Sequence, residues 1–180
     1  MKFSWIDTGN HFLPKLTPSE RYAETAAEYC SRMATFLPNF PAEVITQWFY
    51  EHWGQIDEYA WLDYSTLKFT KEDWNSEKIM DSGIQKNRAV QIDHQHFEDH
   101  ITHEGIERIS RHFQSRGTWP VPPVFLENLA KNIKRPDGWV LTSPFYLLEG
   151  HHRCGLFWSF FGQNALRKTH YVWVARINHI

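Results

Sequence analysis

Phe145-Tyr146-Leu147-Leu148-Glu149-Gly150-His151-His152-Arg153 runs directly into Cys154-Gly155-Leu156-Phe157-Trp158-Ser159-Phe160-Phe161. The first four residues are an apolar run of strand length, and the second stretch stays apolar over helix length, so a strand passes through a glycine into a helix. Gly150 lets the backbone turn tightly at the junction. The first N–H groups of a helix have no carbonyl inside it, so the amides of His151, His152 and Arg153 aim at one place outside, with the Arg153 cation beside them. An oxyanion such as a phosphate suits that place. Two plainer readings stand beside this one. Arg153 follows Glu149 by four residues and can pair with it, and His151 can be a packed residue bonded to a neighbouring strand.

Outward from this junction, composition sets the frame. The chain has 180 residues, of which 42% are apolar and 16% aromatic, with nine Trp and thirteen Phe. That is enough for one domain with a substantial core plus an extension. A formal charge of −2 gives no general electrostatic drive toward a polyanion, so duplex DNA is not an expected partner. The two cysteines, Cys30 and Cys154, form no Cys-x-x-Cys pair, which points to a reducing compartment. No leader pattern opens the chain and no run of about 18 apolar residues occurs, so a cytoplasmic protein with no membrane association is expected.

Thr17-Pro18-Ser19-Glu20 has a Thr cap, Pro at the first helical position and Glu three residues after the cap, and predicts a helix over 18–35. Leu37-Pro38-Asn39-Phe40-Pro41 breaks it, and a second helix follows over 42–53, making a helical hairpin. Aromatics surround that second helix, including Trp48, Phe49, Tyr50 and Trp53. Burial on two sides is expected, by packing on the rest of the chain or by a protein partner or homodimer contact. Leu67-Lys68-Phe69 reads as a short strand, and Thr70-Lys71-Glu72-Asp73 as a capped turn into a short helix. Residues 75–95 are polar and carry no periodic signal. A helix is predicted over 98–116 and stopped by Gly117, then a proline-led strand at 122–126, strand material at 139–141 and 145–148, the motif helix over 151–161, and a closing strand over 171–177. The division this implies is a helical extension, 1–58, before an α/β domain, 59–180.

From Leu67 onward the order of parts resembles the ParB-like/sulfiredoxin-like superfamily of small α/β (α+β) nucleotide-binding domains. The matching pieces are Leu67-Lys68-Phe69-Thr70-Lys71-Glu72, the helix ending at Gly117, Pro122-Pro123-Val124-Phe125-Leu126, Tyr146 through Arg153, and Tyr171 through Ile177. The resemblance implies a small mixed sheet with packed helices and a nucleotide phosphate held on a Gly-x-x-Arg turn. Sulfiredoxins carry Gly-Cys-His-Arg with the Cys as nucleophile. His151 stands in that place here, so sulfiredoxin activity is not expected. Chromosome-partitioning members carry Gly-Glu-Arg-Arg and continue into a helix-turn-helix, which is not expected in this chain. Gly-His-His-Arg looks most like the free-serine kinase branch, where an acidic residue in the early loop activates a hydroxyl. Glu72 is the position that matches it.

The resemblance thus implies a nucleoside triphosphate or diphosphate (ATP, ADP or CTP) with Mg²⁺. Gly150, His151, His152 and Arg153 would form the binding turn, with Glu72 and His152 as the catalytic pair of a phosphotransferase or NTPase. The alternatives are a nucleotide-sensing or interaction module without chemistry and, third, a nuclease or DNA-binding protein. A capping role for Glu72 competes with the catalytic one. His94, His96, His100 and His103 form a second cluster, in which 96, 100 and 103 share one side of a helix as a metal set would. Eleven histidines make accidental clusters common, so a solvated, pH-sensitive face is expected and no metal is assigned.

Overall fold

A computed structural model describes residues 12–19, 21–53, 58–59, 61–98, 104–163 and 165–178. The chain divides into two compact units, Met1–Phe69 with Ala175–Ile180, and Thr70–Val174.

In the first unit the capping box sits later than the sequence predicts. Thr25 accepts from the Glu28 amide through its hydroxyl and donates its own amide to the Glu28 carboxylate at 2.7 Å, and this box opens α1, Ala26–Met33. Thr17-Pro18-Ser19 instead closes a turn: the Thr17 amide donates to the Arg21 carbonyl at 2.8 Å, and Leu16 bridges Tyr22. The predicted helix over 18–35 is thereby shortened at its start. Tyr22 explains the choice, because its ring stacks on Tyr50 at 4.4 Å and its hydroxyl donates to the Tyr50 carbonyl, a docking that a helical Tyr22 would give up.

The second helix begins as one α-turn, Ala42–Val44, and widens into a π-helix, Ile45–Tyr50. Ile45, Gln47, Trp48 and Phe49 are all buried there, which accounts for aromatics on more than one stripe. Phe40 is the hub of their packing, with Trp48, Phe49, Tyr64 and Phe69 rings within 4.5–6.0 Å.

The α/β part is built on a four-stranded sheet of order β1-β4-β2-β3. Its strands are β1 Leu67–Asn75, β2 Val124–Glu127, β3 Phe145–Glu149 and β4 Thr169–Ile177. β2 and β3 are antiparallel, with Val124 opposite Glu149 and Glu127 opposite Phe145. The predicted turn at 70–73 is corrected: Thr70-Lys71-Glu72-Asp73 lies inside β1. This strand is at the sheet's edge, where charged residues are tolerated and guard against unwanted pairing, so it lacks the apolar signature of a strand. The cap is Asn75, whose side chain accepts from the Lys78 amide at 2.8 Å and opens α2, Ser76–Asp81.

The unassigned stretch 75–95 holds α2, a 3₁₀ turn at Ile84–Lys86 and most of α3, Arg88–Glu98. α4 is Glu104–Arg116; of the helix predicted over 98–116, Glu98 belongs to α3 and residues 99–103 lie outside the described residues, and Gly117 ends α4 at φ +66°. The motif helix is α5, His151–Phe160, with residues buried on every side, as befits a helix at the centre of a layer. Its apolar side chains join Trp74, Phe113, Trp119, Phe125 and Val172 in one core.

The expected strand at 139–141 is reduced to a single bridge, Lys134 with Val140, inside the loop between β2 and β3. Trp139 is 64% exposed. The loop is organised by buried Asn128. Its amide donates to the Leu141 and Ser143 carbonyls, and its oxygen accepts from the amides of Asn132 and Ile133, all within 3.2 Å.

Candidate functional site

The junction forms as read. β3 ends at Glu149, Gly150 takes φ +105°, and α5 starts at His151 with the Cys154 amide donating to the Gly150 carbonyl at 2.9 Å. A side chain at Gly150 would meet Pro123, since a Cβ built there lies 2.7 Å from the Pro123 Cβ. Only glycine serves at a position with both this dihedral and this close approach. The proline-led segment before β2 is therefore packed on the turn.

Arg153 follows the plainer of its two readings. Its side chain is 10% exposed; one terminal nitrogen donates to Glu149 Oε1 at 2.9 Å and the other to the Val121 carbonyl at 3.0 Å. Gripping an outside phosphate would mean breaking a buried ion pair, so the guanidinium is a strut between the helix, the strand and the Pro122 segment. His151 is half-buried and His152 exposed.

Glu72 is not brought to the turn. Its carboxylate accepts from Trp74 Nε1 at 2.7 Å and lies 3.4 Å from Lys78 Nζ. The Trp74 ring packs edge-on against Phe145 at 4.6 Å, where β3 begins, whereas Gly150 follows the end of β3. Five strand residues put about 13 Å between those ends. The catalytic pairing of Glu72 with His152 is therefore not formed.

In its place stands a residue that the sequence reading passed over. Asp93 of α3 places Oδ1 2.8 Å from His152 Nδ1. The carboxylate side chain is 9% exposed and the imidazole 50%, so a buried acid backs a histidine at the surface. Hydrogen bonding to Asp93 holds the imidazole above its ordinary 6.5, against the opposing effect of burial. Gly155 makes the approach of α3 possible, since a Cβ there would lie 2.6 Å from Asp93 Cβ and 3.0 Å from the His94 amide nitrogen. The signal available in the sequence is this lone glycine inside the helix, between Cys154 and the apolar run Leu156-Phe157-Trp158.

His94, next along α3, is also tied to α5: Nδ1 lies 2.6 Å from Ser159 Oγ, and the ring stacks on Trp158 at 4.1 Å. His100 and His103 of the predicted cluster lie outside the described residues. Among the described residues no three His, Cys, Asp or Glu side chains are grouped to hold a metal ion. Burial pushes the Cys154 thiol up to about 12, so this cysteine offers no thiolate. A depression of about 520 Å³ lies at the other end of α5, about 15 Å along the helix, between Ser76, Phe161, Gln163 and Arg167.

Comparison of the chain with family models, curated proteins and solved structures finds no match. Among the described residues no helix is long and apolar enough to cross a membrane.

Proposed function

We propose that the turn Gly150–Arg153 receives the phosphate of a nucleoside triphosphate or diphosphate, in a domain of the ParB-like/sulfiredoxin-like kind. The observation that carries this reading is the turn itself: a strand entering a ten-residue helix through a left-handed glycine pressed against Pro123, with His152 at the surface of the first turn. The helix N-terminus supplies amide donors and positive potential, and His152 supplies a further donor. Arg153 supports this cradle from within and does not itself contact the ligand. Mg²⁺, when bound with the nucleotide, would neutralise phosphate charge.

Binding without chemistry is the form of this reading that the geometry favours, because the one acid proposed as base, Glu72, is held at the far end of β3. A sensing module of this kind would show its bound state to a protein partner, for which the N-terminal unit is the candidate, its aromatics serving as its own core. Two free cysteines fit a reducing cytoplasm.

A thermal-shift series with ATP, ADP and CTP, each with and without Mg²⁺, tests the proposal. At about 100 times its dissociation constant, a ligand adds about 2.7 kcal/mol to stability. Stabilisation by one of these nucleotides that is lost in His152→Ala is the expected result. No stabilisation by any of them at millimolar concentration would end the nucleotide reading. Phosphate release on incubation with the stabilising nucleotide would replace the binding module by an enzyme, and salt-sensitive retention on DNA would replace both.

A further inference from the structure

We propose that Ser76 and His170 form a hydroxyl–imidazole pair that hydrolyses carboxylic esters bearing a separate negative charge, with Ser76 as the nucleophile in the wall of the depression beyond the C-terminal end of α5. This site is separate from the Gly150–Arg153 turn, and neither reading depends on the other.

Three observations carry it. The first is the pair itself. Ser76 opens α2 and is half-buried, and its Oγ lies 3.4 Å from Nε2 of His170 on β4. A serine hydroxyl becomes a nucleophile through a base within reach, and such contacts are often loose before a substrate binds. The second is the way the ring is held. Thr118 Oγ1 lies 2.9 Å from Nδ1, a backbone hydrogen bond joins the ring to Arg167, and the rings of Trp119 and Phe157 close around it. With the Nδ1 proton donated to Thr118, the Nε2 lone pair is turned to Ser76. Burial pushes the imidazole down to about 4, so at neutral pH the ring is uncharged and able to accept a proton.

The third is the depression. It holds about 520 Å³, a volume that suits a small molecule, and Ser76 is part of its wall. Phe161 and Leu166 give it apolar surface, and Arg167 and Lys168 outweigh its one acid, Glu77. Arg167 Nε donates to the Arg116 carbonyl at 2.7 Å, which anchors the guanidinium at the end of α4, while its terminal nitrogens have no protein partner among the described residues. The cations thus serve a charged group on the substrate and the negative oxygen that develops during attack.

In the first step Ser76 Oγ bonds to the ester carbonyl carbon and its proton passes to His170 Nε2. The bond from that carbon to the alcohol oxygen then breaks, and the leaving oxygen takes the proton. In the second step water bonds to the acyl carbon and gives a proton to Nε2. The bond to Ser76 Oγ then breaks, and the proton returns to Oγ. Water is the only co-reactant. Thr118 stands where a carboxylate would make the imidazole more basic, so the gain from this base is at the low end of general base catalysis, about a hundredfold.

The test uses the full chain, with mono-4-nitrophenyl succinate as substrate, 4-nitrophenyl acetate as its neutral counterpart, and an alkyl fluorophosphonate as a label read by mass spectrometry. Expected are a phosphonyl adduct on Ser76, hydrolysis of the succinate ester that drops about a hundredfold in Ser76→Ala, and kcat/KM about tenfold lower for the acetate ester. In Arg167→Gln that tenfold preference is lost. No adduct on Ser76, or hydrolysis unchanged in Ser76→Ala, overturns the proposal. Equal turnover of the two esters by the wild type overturns the anionic substrate. If Ser76→Ala does not fold, ¹⁵N–¹H spectra of the wild type decide: a neutral His170 protonated on Nδ1 is expected, and one protonated on Nε2 contradicts the proposal.

Discussion

Arg153→Ala is expected to lower folding stability by about 3–5 kcal/mol, measured as a shift in the urea midpoint at constant slope. The size follows from what is left behind. Glu149 is 7% exposed, and removing the guanidinium leaves its carboxylate inside the protein without the charge it faces. The Val121 carbonyl loses a donor in the same step. A double replacement, Glu149→Leu with Arg153→Met, removes both charges and keeps similar volume, so it is expected to recover most of the loss. This separates the two roles written into Gly-His-His-Arg. An arginine whose task was to hold a ligand would leave the unliganded protein's midpoint almost unchanged when truncated, and Glu149→Leu would rescue nothing.

His170 is expected to produce the second large effect, as a loss of stability on mild acidification. Burial, the largest cause, pushes this imidazole down to about 4, and only 1% of the residue is exposed. Thr118 Oγ1 lies 2.9 Å from Nδ1 and Ser76 Oγ 3.4 Å from Nε2, while the Trp119 and Phe157 rings close around the ring at 5.2 and 5.1 Å. The folded state thus keeps His170 neutral where the unfolded chain takes up a proton. With an unfolded value of 6.5, stability falls as pH drops from 6.5 toward 4, and the total is about 3 kcal/mol.

His152 acts in the opposite sense. Its folded value is raised, so its contribution is complete below 6.5 and is lost as pH rises through the folded titration. These two histidines together place their joint optimum near 6.5. Glu28, which the Thr25 amide and hydroxyl hold below its usual 4.5, matters only at lower pH. Thermal melts between pH 7 and 4.5 on the wild type and on His170→Asn check the assignment: the variant is expected to show a flatter acid limb, and an equally steep limb would contradict it.

The parts of the fold that could be read in advance are those whose signals are local. β3, Gly150 and α5 follow one another within 16 residues, and apolar runs around a glycine define them without help from elsewhere. β4 declared itself through β-branched and aromatic residues for the same reason. β1 did not: an edge strand half exposed to solvent reads as polar, so Glu72 has the local sequence of a turn acid although it is a strand residue bonded to Trp74.

Thr17 and Thr25 both satisfy the local rule for a helix start, and the stacking of Tyr22 on Tyr50, 28 residues away, decides between them. Asp93 was illegible because its meaning comes from a partner 59 residues later in the chain. Arg153 could be placed but not assigned. Its spacing from Glu149 was visible, yet whether the side chain folds inward or reaches out depends on the Val121 carbonyl across the junction.

The loop pinned by Asn128 has a bearing on how this protein meets proteases. Lys131 and Lys134 offer trypsin two cleavage points between β2 and β3, Arg135 being protected by Pro136 after it, and the segment has the look of a site cut at first encounter. A protease must draw several residues into an extended form, however, and here the backbone on both sides of those cations is tied to one buried amide side chain. Cutting therefore waits on the release of Asn128, and digestion would time the opening of this single anchor. Even a nicked chain would keep its two pieces together, because the strands on either side of the cut are paired with each other.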